Sequence, residues 1–259
     1  MRSHWADLDD DNLARELAGA AGELLLSLRE RGRLIDAATL RAQGDQRSHE
    51  FLMEHLATVR PGDAVLSEEG ADDPARLAAS RVWIVDPLVG TREFGEVPRV
   101  DWAVHVALWE RGALSAGAVA RPAMGSTLST SRRPVPPPRE AGPIRLAVSR
   151  SRPPAFVARL AERLGAELVP MGSAGIKACS VIDDVTDAYV HAGGQYEWDS
   201  AAPVAVARAA GLHTSRIDGS PLAYNRPNPL LPDLLVCRPE LADVILPALA
   251  EMADYEEAV

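Results

Sequence analysis

The sequence predicts a mixed α/β fold of two domains, residues 1–142 and 143–259. Three observations lead there. In the second half, short apolar runs alternate with stretches of helical periodicity, the order of an α/β layer. In the first half, helical stretches come first and strands follow. Between the halves, residues 134–143 hold five prolines and two charges and read as a linker. No repeat of 20–50 residues is present.

Each element has its own warrant. Leu13, Leu17, Ala20, Ala21, Leu24 and Leu25 recur at helical spacing, so residues 13–29 are predicted helical. Residues 48–59 read as a second helix, stopped by Arg60-Pro61-Gly62. Residues 64–66 read as a short strand. Val82-Trp83-Ile84-Val85 is a stronger one, running straight into Asp86-Pro87. Residues 102–109 and 116–120 read as strands joined at Arg111-Gly112. Beyond the linker the expected order is strand 144–148, helix 155–164 ended by Gly165, and strand 168–169. Helix 174–182, strand 188–191 and helix 201–210, ended by Gly211, follow.

Composition narrows the function. The chain has 259 residues, 47% hydrophobic, enough for a sizeable core. A net charge of −10 argues against non-specific binding of duplex nucleic acid. It leaves small anionic ligands open, because a metal or a few arginines can reverse the field inside one cleft. The polar N-terminus carries no signal-peptide pattern, and no apolar run reaches the length of a membrane span. A cytoplasmic protein is expected. Cys179 and Cys237 lie far apart in sequence and read as reduced core residues. Lys177 is the only lysine.

Three acidic clusters carry the chemistry. Glu68-Glu69 follows the strand at 64–66, Asp86 ends the strand at 82–85, and Asp199 is expected at the N-cap of the helix at 201–210. Singly, each has an ordinary explanation: a solvated loop, a turn, a helix cap. Together they are hard oxygen donors of the kind that suits Mg²⁺. No Cys or His cluster has zinc spacing.

In order along the chain, Glu68-Glu69, Trp83-Ile84-Val85-Asp86-Pro87-Leu88-x-Gly90-Thr91 and Trp198-Asp199-x-Ala201-Ala202 resemble one superfamily. It is the Mg²⁺-dependent phosphatases that include inositol monophosphatase and fructose-1,6-bisphosphatase. The resemblance covers nearly all of the chain after about residue 44. Thr91-Arg92-Glu93-Phe94, Gly172-Ser173-Ala174-Gly175-Ile176-Lys177 and residues 189–199 resemble its bacterial branch acting on 3'-phosphoadenosine 5'-phosphate (PAP). The resemblance implies a layered αβαβα sandwich, two or three Mg²⁺ ions and a small phosphorylated nucleotide as substrate. A homodimer is common among such relatives. It implies that Glu68, Asp86, the Leu88 carbonyl and Asp199 bind metal, and that Thr91 partners Glu68 in activating water. The Gly90 and Thr91 amides would hold phosphate. Arg92, Ser149, Gly172, Ser173, Lys177, His191 and Asp199 are the further substrate-side candidates. Asp45 loosely matches an outer acidic position.

One residue departs from the pattern. The family has an acidic metal ligand where this chain has Val89. Three readings of Val89 stand at this point. The chain is a weakened or non-catalytic relative that still binds nucleotide, or its metal arrangement has shifted, or the change was engineered to trap a substrate.

Overall fold

Asp9 and Asp36 each open a long helix. The Asp9 carboxylate accepts from the Asn12 amide at 2.8 Å, and α1 (Asp10–Arg31) follows. The Asp36 carboxylate accepts from the Ala38 and Thr39 amides, and α2 (Ala37–Val59) follows. Side-chain oxygens at this position satisfy amides that a first helical turn leaves free. The expected helix at 48–59 therefore begins much earlier, and Gly44 lies inside it. Gly44 serves packing there: a Cβ would lie 2.8 Å from the side chains of Leu88 and Phe94.

The structure is a computed structural model describing residues 4–256. Its first sheet runs in the order β1 (Ala64–Ser67), β2 (Arg81–Val89), β3 (Ala103–Glu110), β4 (Ala113–Arg121) and β5 (Ser126–Ser129). β1 pairs parallel with β2, and the other pairs are antiparallel. The short helix α3 (Thr91–Gly95) leaves the end of β2. The second half supplies β6 (Arg145–Ser149), α4 (Ala155–Leu164), β7 (Glu167–Met171), α5 (Ala174–Ile182) and β8 (Ala188–Tyr196). α6 (Glu197–Ala209), β9 (His213–Ser215), β10 (Leu230–Cys237) and α7 (Pro239–Glu256) complete it. Its sheet has the order β7-β6-β8-β10-β9.

Strand alternation sorts these elements into layers. Trp83, Val85, Val104 and Val106 pack with Leu13, Leu17, Leu52 and Leu56 of α1 and α2. Val82, Ile84, Ala103 and Ala107, on the opposite face, share a core with Ile176 of α5, Val204 of α6, and Tyr189 and Leu234 of the second sheet. The far face of that sheet, with Val148, Val190 and Leu235, packs on Leu160 of α4 and Ile245 of α7. The result is the αβαβα sandwich that the resemblance implies, with α5 and α6 as the central layer.

The proline-rich stretch forms neither helix nor strand between residues 133 and 144. It is nonetheless fastened. Arg238 donates to the Pro137 carbonyl at 2.9 Å, and Arg139 pairs with the buried Asp187.

Candidate active site

The site begins with an irregularity in β2. Asp86 pairs with His105 and Val89 with Ala103, so three residues of β2 advance against two of β3. This is a bulge, which re-aims the side chains after it. Regular alternation would put residue 88 on the face of Ile84 and Asp86. Instead Leu88 packs with the α1/α2 core and Val89 with the central core. The bulge therefore turns residue 89 to the same face as Asp86. Pro87 fits the bulge because it has no N–H to pair, and its carbonyl accepts from the buried Ser48 hydroxyl at 2.7 Å.

β1 lies beside β2 with Ser67 opposite Val85, and the Glu68 amide donates to the Val85 carbonyl. That brings Glu68 next to Asp86, and their carboxyl groups share a hydrogen bond. Asp86 is 1% exposed. Burial, then repulsion from Glu68 and Asp199, holds its pKa well above the carboxylate range. Burial, with Asp199, Glu69 and Asp45 adding to it and the Asp86 hydrogen bond opposing, pushes Glu68 up to about 7. Burial and Glu69 push Asp45, on α2, up to about 7. Asp199 is raised to about 6 by burial, against the Tyr196 amide and the Lys177 charge.

Asp199 is not the N-cap expected of it. α6 starts at Glu197, and Asp199 is its third residue, with Oδ2 accepting from the Tyr196 amide at 2.8 Å. An acid at that position reaches back to the cap amide, which carries the helix start ahead of residue 201.

Among the described residues, no three carboxylate or imidazole groups already surround one point at coordinating distance. Glu68 and Asp86 touch, and Asp199 acts on both through its charge. A buried carboxylate, Asp86, against the more open Glu68, with the Leu88 carbonyl nearby in the chain, is a donor set suited to one hard divalent cation. A second cation is not matched in the same way. Val89, 4% exposed and part of the apolar core with Ala174 and Ile176, offers no oxygen on the face it shares with Asp86.

The other candidates fall into groups. Thr91 opens α3, with Oγ1 2.9 Å from the Leu88 carbonyl oxygen and 3.3 Å from Asp45 Oδ1. Gly90 has φ of 84°, and a Cβ there would lie 3.1 Å from that of Ser173. The two chain halves thus meet at Gly90, Gly172 and Ser173. The Gly172 amide donates to Asp101 Oδ2 at 2.7 Å. Lys177, 6% exposed, donates to the Ser173 carbonyl at 2.8 Å and lies over the Tyr189 ring. Burial pushes its pKa down to about 8, against attraction from Glu93, Asp199 and Asp101. Arg92 is turned to solvent and paired with Glu96. The Ser149 hydroxyl accepts from the Arg152 amide, and His191 Nε2 lies 2.7 Å from the Gly193 carbonyl oxygen.

Two residues of this region were not singled out in the sequence. Asp101 also pairs with Arg99, and its only signal is an acid immediately before an apolar strand. The signal for His105 is one imidazole inside an otherwise apolar strand.

The carboxylate shifts have a consequence for pH. Raised folded-state pKa values contribute stability that is present below about pH 4 and lost as pH rises through about 7. His105 opposes this trend, since burial lowers it to about 4. Cations need the deprotonated carboxylates. Mg²⁺ is therefore expected to raise the melting temperature more at about pH 8 than at about pH 5.5. Differential scanning fluorimetry checks this, and an equal shift at both pH values would separate cation binding from these acids.

The sequence profile of the inositol monophosphatase family matches residues 9–253. The chain belongs to this family. A 3'-phosphoadenosine 5'-phosphate phosphatase of Mycobacterium leprae is 48% identical, over 97% of each chain. Another so named, from Mycobacterium bovis, is 50% identical over 89% of this chain and 90% of its own. The crystal structure of CysQ from Bacteroides thetaiotaomicron, a bacterial member of the inositol monophosphatase family, matches with a TM-score of 0.73 at 28% identity. It covers 87% of this chain and 95% of that one. Among the described residues, no helix of this family member is long and apolar enough to cross a membrane.

Proposed function

We propose that this chain is a Mg²⁺-dependent phosphomonoesterase that removes the 3'-phosphate of PAP or a related nucleotide, with a metal site weakened by Val89. The observation that carries the reading is Glu68 set against the buried Asp86, with Asp199 acting on both and the sole lysine in the field of Asp199. The names borne by relatives at 48% and 50% identity support PAP over an inositol phosphate. Residues 1–142 and 143–259 are taken as two domains with the substrate at their seam.

Glu68, Asp86 and the Leu88 carbonyl would hold the principal cation, with Asp199 completing its charge balance. When bound, such an ion neutralises phosphate charge and acidifies a water. Glu68 then offers a carboxylate oxygen to a proton of the attacking water. Thr91, held between Leu88 and Asp45, keeps its hydroxyl next to that water, and the Gly90 and Thr91 amides face the phosphate. Lys177 offers the positive charge that an acidic pocket needs for a second anionic group on the nucleotide. Arg92, Ser149, Gly172, Ser173 and His191 are proposed to line the substrate, with Arg92 leaving Glu96 to do so.

Lys177→Met is expected to raise KM for PAP by roughly 10-fold or more, the range of one charge-assisted hydrogen bond, with a smaller change in kcat. Steady-state kinetics with PAP checks it; an unchanged KM removes Lys177 from the substrate site. Turnover of PAP, AMP and inositol monophosphate compared side by side tests the substrate assignment, and a preference for inositol phosphate rejects it. Val89 favours one rival reading, a non-catalytic protein that binds the nucleotide. Calorimetry with PAP alongside the absence of turnover would support that rival.

A further inference from the structure

His105 sits where the two ends of the acidic site are joined. It lies on β3 directly opposite Asp86, on the sheet face that meets α5 and α6. It is fully buried. Its Nδ1 lies 3.1 Å from the carbonyl oxygen of Trp198, the residue before Asp199. A carbonyl only accepts, so Nδ1 carries the proton. Burial pushes the imidazole pKa down to about 4, which keeps the ring neutral. Among the described residues Nε2 has no hydrogen-bond partner. It points at Gly175 of α5, where a Cβ would lie 2.0 Å away. The ring is thus wedged between the helix that carries Lys177 and the helix that carries Asp199.

An unpartnered buried acceptor costs stability, and an apolar side chain would fill the same space without that cost. The Nδ1 bond is what the imidazole adds. We propose that His105 is a positioning residue that fixes Asp199, on α6, against Asp86, on β2. The route is short: Asp86 on β2, His105 across the ladder on β3, the Trp198 carbonyl, then Asp199. The proposal rests on the metal reading above and extends it to a residue that touches neither cation nor substrate. Gly175 belongs to the same arrangement, since any side chain there would push the ring off the Trp198 carbonyl.

The test is Mn²⁺ affinity, read by electron paramagnetic resonance on folded protein, for the wild-type chain and for His105→Leu, His105→Asn and His105→Gln. Asn places an amide donor close to where Nδ1 stands, whereas Gln carries it one bond further. Loss of a partner that orients a metal ligand typically costs on the order of 10- to 100-fold in affinity. His105→Leu and His105→Gln are expected to lose that much. His105→Asn is expected to stay within about threefold of wild type, a pattern a purely packing role would not produce. Should His105→Leu not fold, the Asn–Gln contrast carries the test. Wild-type affinity in the Leu or Gln variants, or an equal loss in Asn and Gln, overturns the role of His105. A wild-type chain that binds no Mn²⁺ overturns the metal reading and this proposal together.

Discussion

Replacing Val89 by Asp is expected to add a divalent-cation site and to raise PAP turnover by on the order of 10- to 100-fold. The backbone is already arranged for it. The bulge at Pro87 and Leu88 sets residue 89 on the face of Asp86, although a valine occupies the position. The same burial makes the change costly without metal. A carboxylate 4% exposed would join Asp86, Glu68 and Asp199, all three raised by burial and the first two also by repulsion from neighbouring acids. Val89→Asp should therefore melt lower than wild type in chelator and regain the difference in Mg²⁺. Mn²⁺ stoichiometry and initial rates check the two halves. An unchanged stoichiometry and rate would show that Val89 is not what limits the site.

Asp86→Asn is expected to have the opposite pair of effects. Removing the shared carboxylate should lower Mg²⁺-dependent turnover by at least about 100-fold, since even outer partners of a metal cost on the order of 10- to 100-fold. The metal-free protein should nevertheless melt higher. Asp86 is buried beside Glu68 and within the field of Asp199, and Asn removes that repulsion at nearly constant volume. Each kcal/mol recovered is worth about 2–4 °C for a chain approaching this size. Activity lost with stability gained marks a residue kept for function. A fall in metal-free melting temperature would assign Asp86 a structural role instead.

The layers were legible where pattern and period agree. The helix at 155–164 and the helix at 174–182 match α4 and α5 in full, because capping residues and apolar spacing are local signals. β2, β3 and β4 were each found within a few residues. The start of α2 was missed: the expected helix began at residue 48, whereas α2 runs through Gly44, whose missing side chain leaves room for Leu88 and Phe94. β5, β9 and β10 were not assigned. Ser126–Ser129 and His213–Ser215 are short and polar at the edges of their sheets, and β10 carries Pro232 and Asp233 at a register shift. α3 is only one turn long, and α7 contains Pro247, which breaks the helical reading.

The candidate site divides in the same manner. Glu68, Asp86 and Asp199 were found as ordered motifs because each stands beside a strand end or a helix start. Their electrostatic coupling was not legible, since it comes from β1 lying parallel to β2 and from α6 crossing the first sheet. Asp45 was underweighted for the same reason as Gly44: the helix that carries it toward Thr91 was not foreseen. Asp101 and His105 act across the seam between the two halves of the chain, and no local pattern reports a contact of that range.

The most direct test is conversion of PAP by the wild-type chain with Mg²⁺ and with chelator, the products separated by chromatography. Release of AMP and phosphate that requires Mg²⁺, slow but accelerated by Val89→Asp, is the expected result. No AMP from either protein in Mg²⁺, or equal release in chelator, would contradict a metal-dependent 3'-phosphatase.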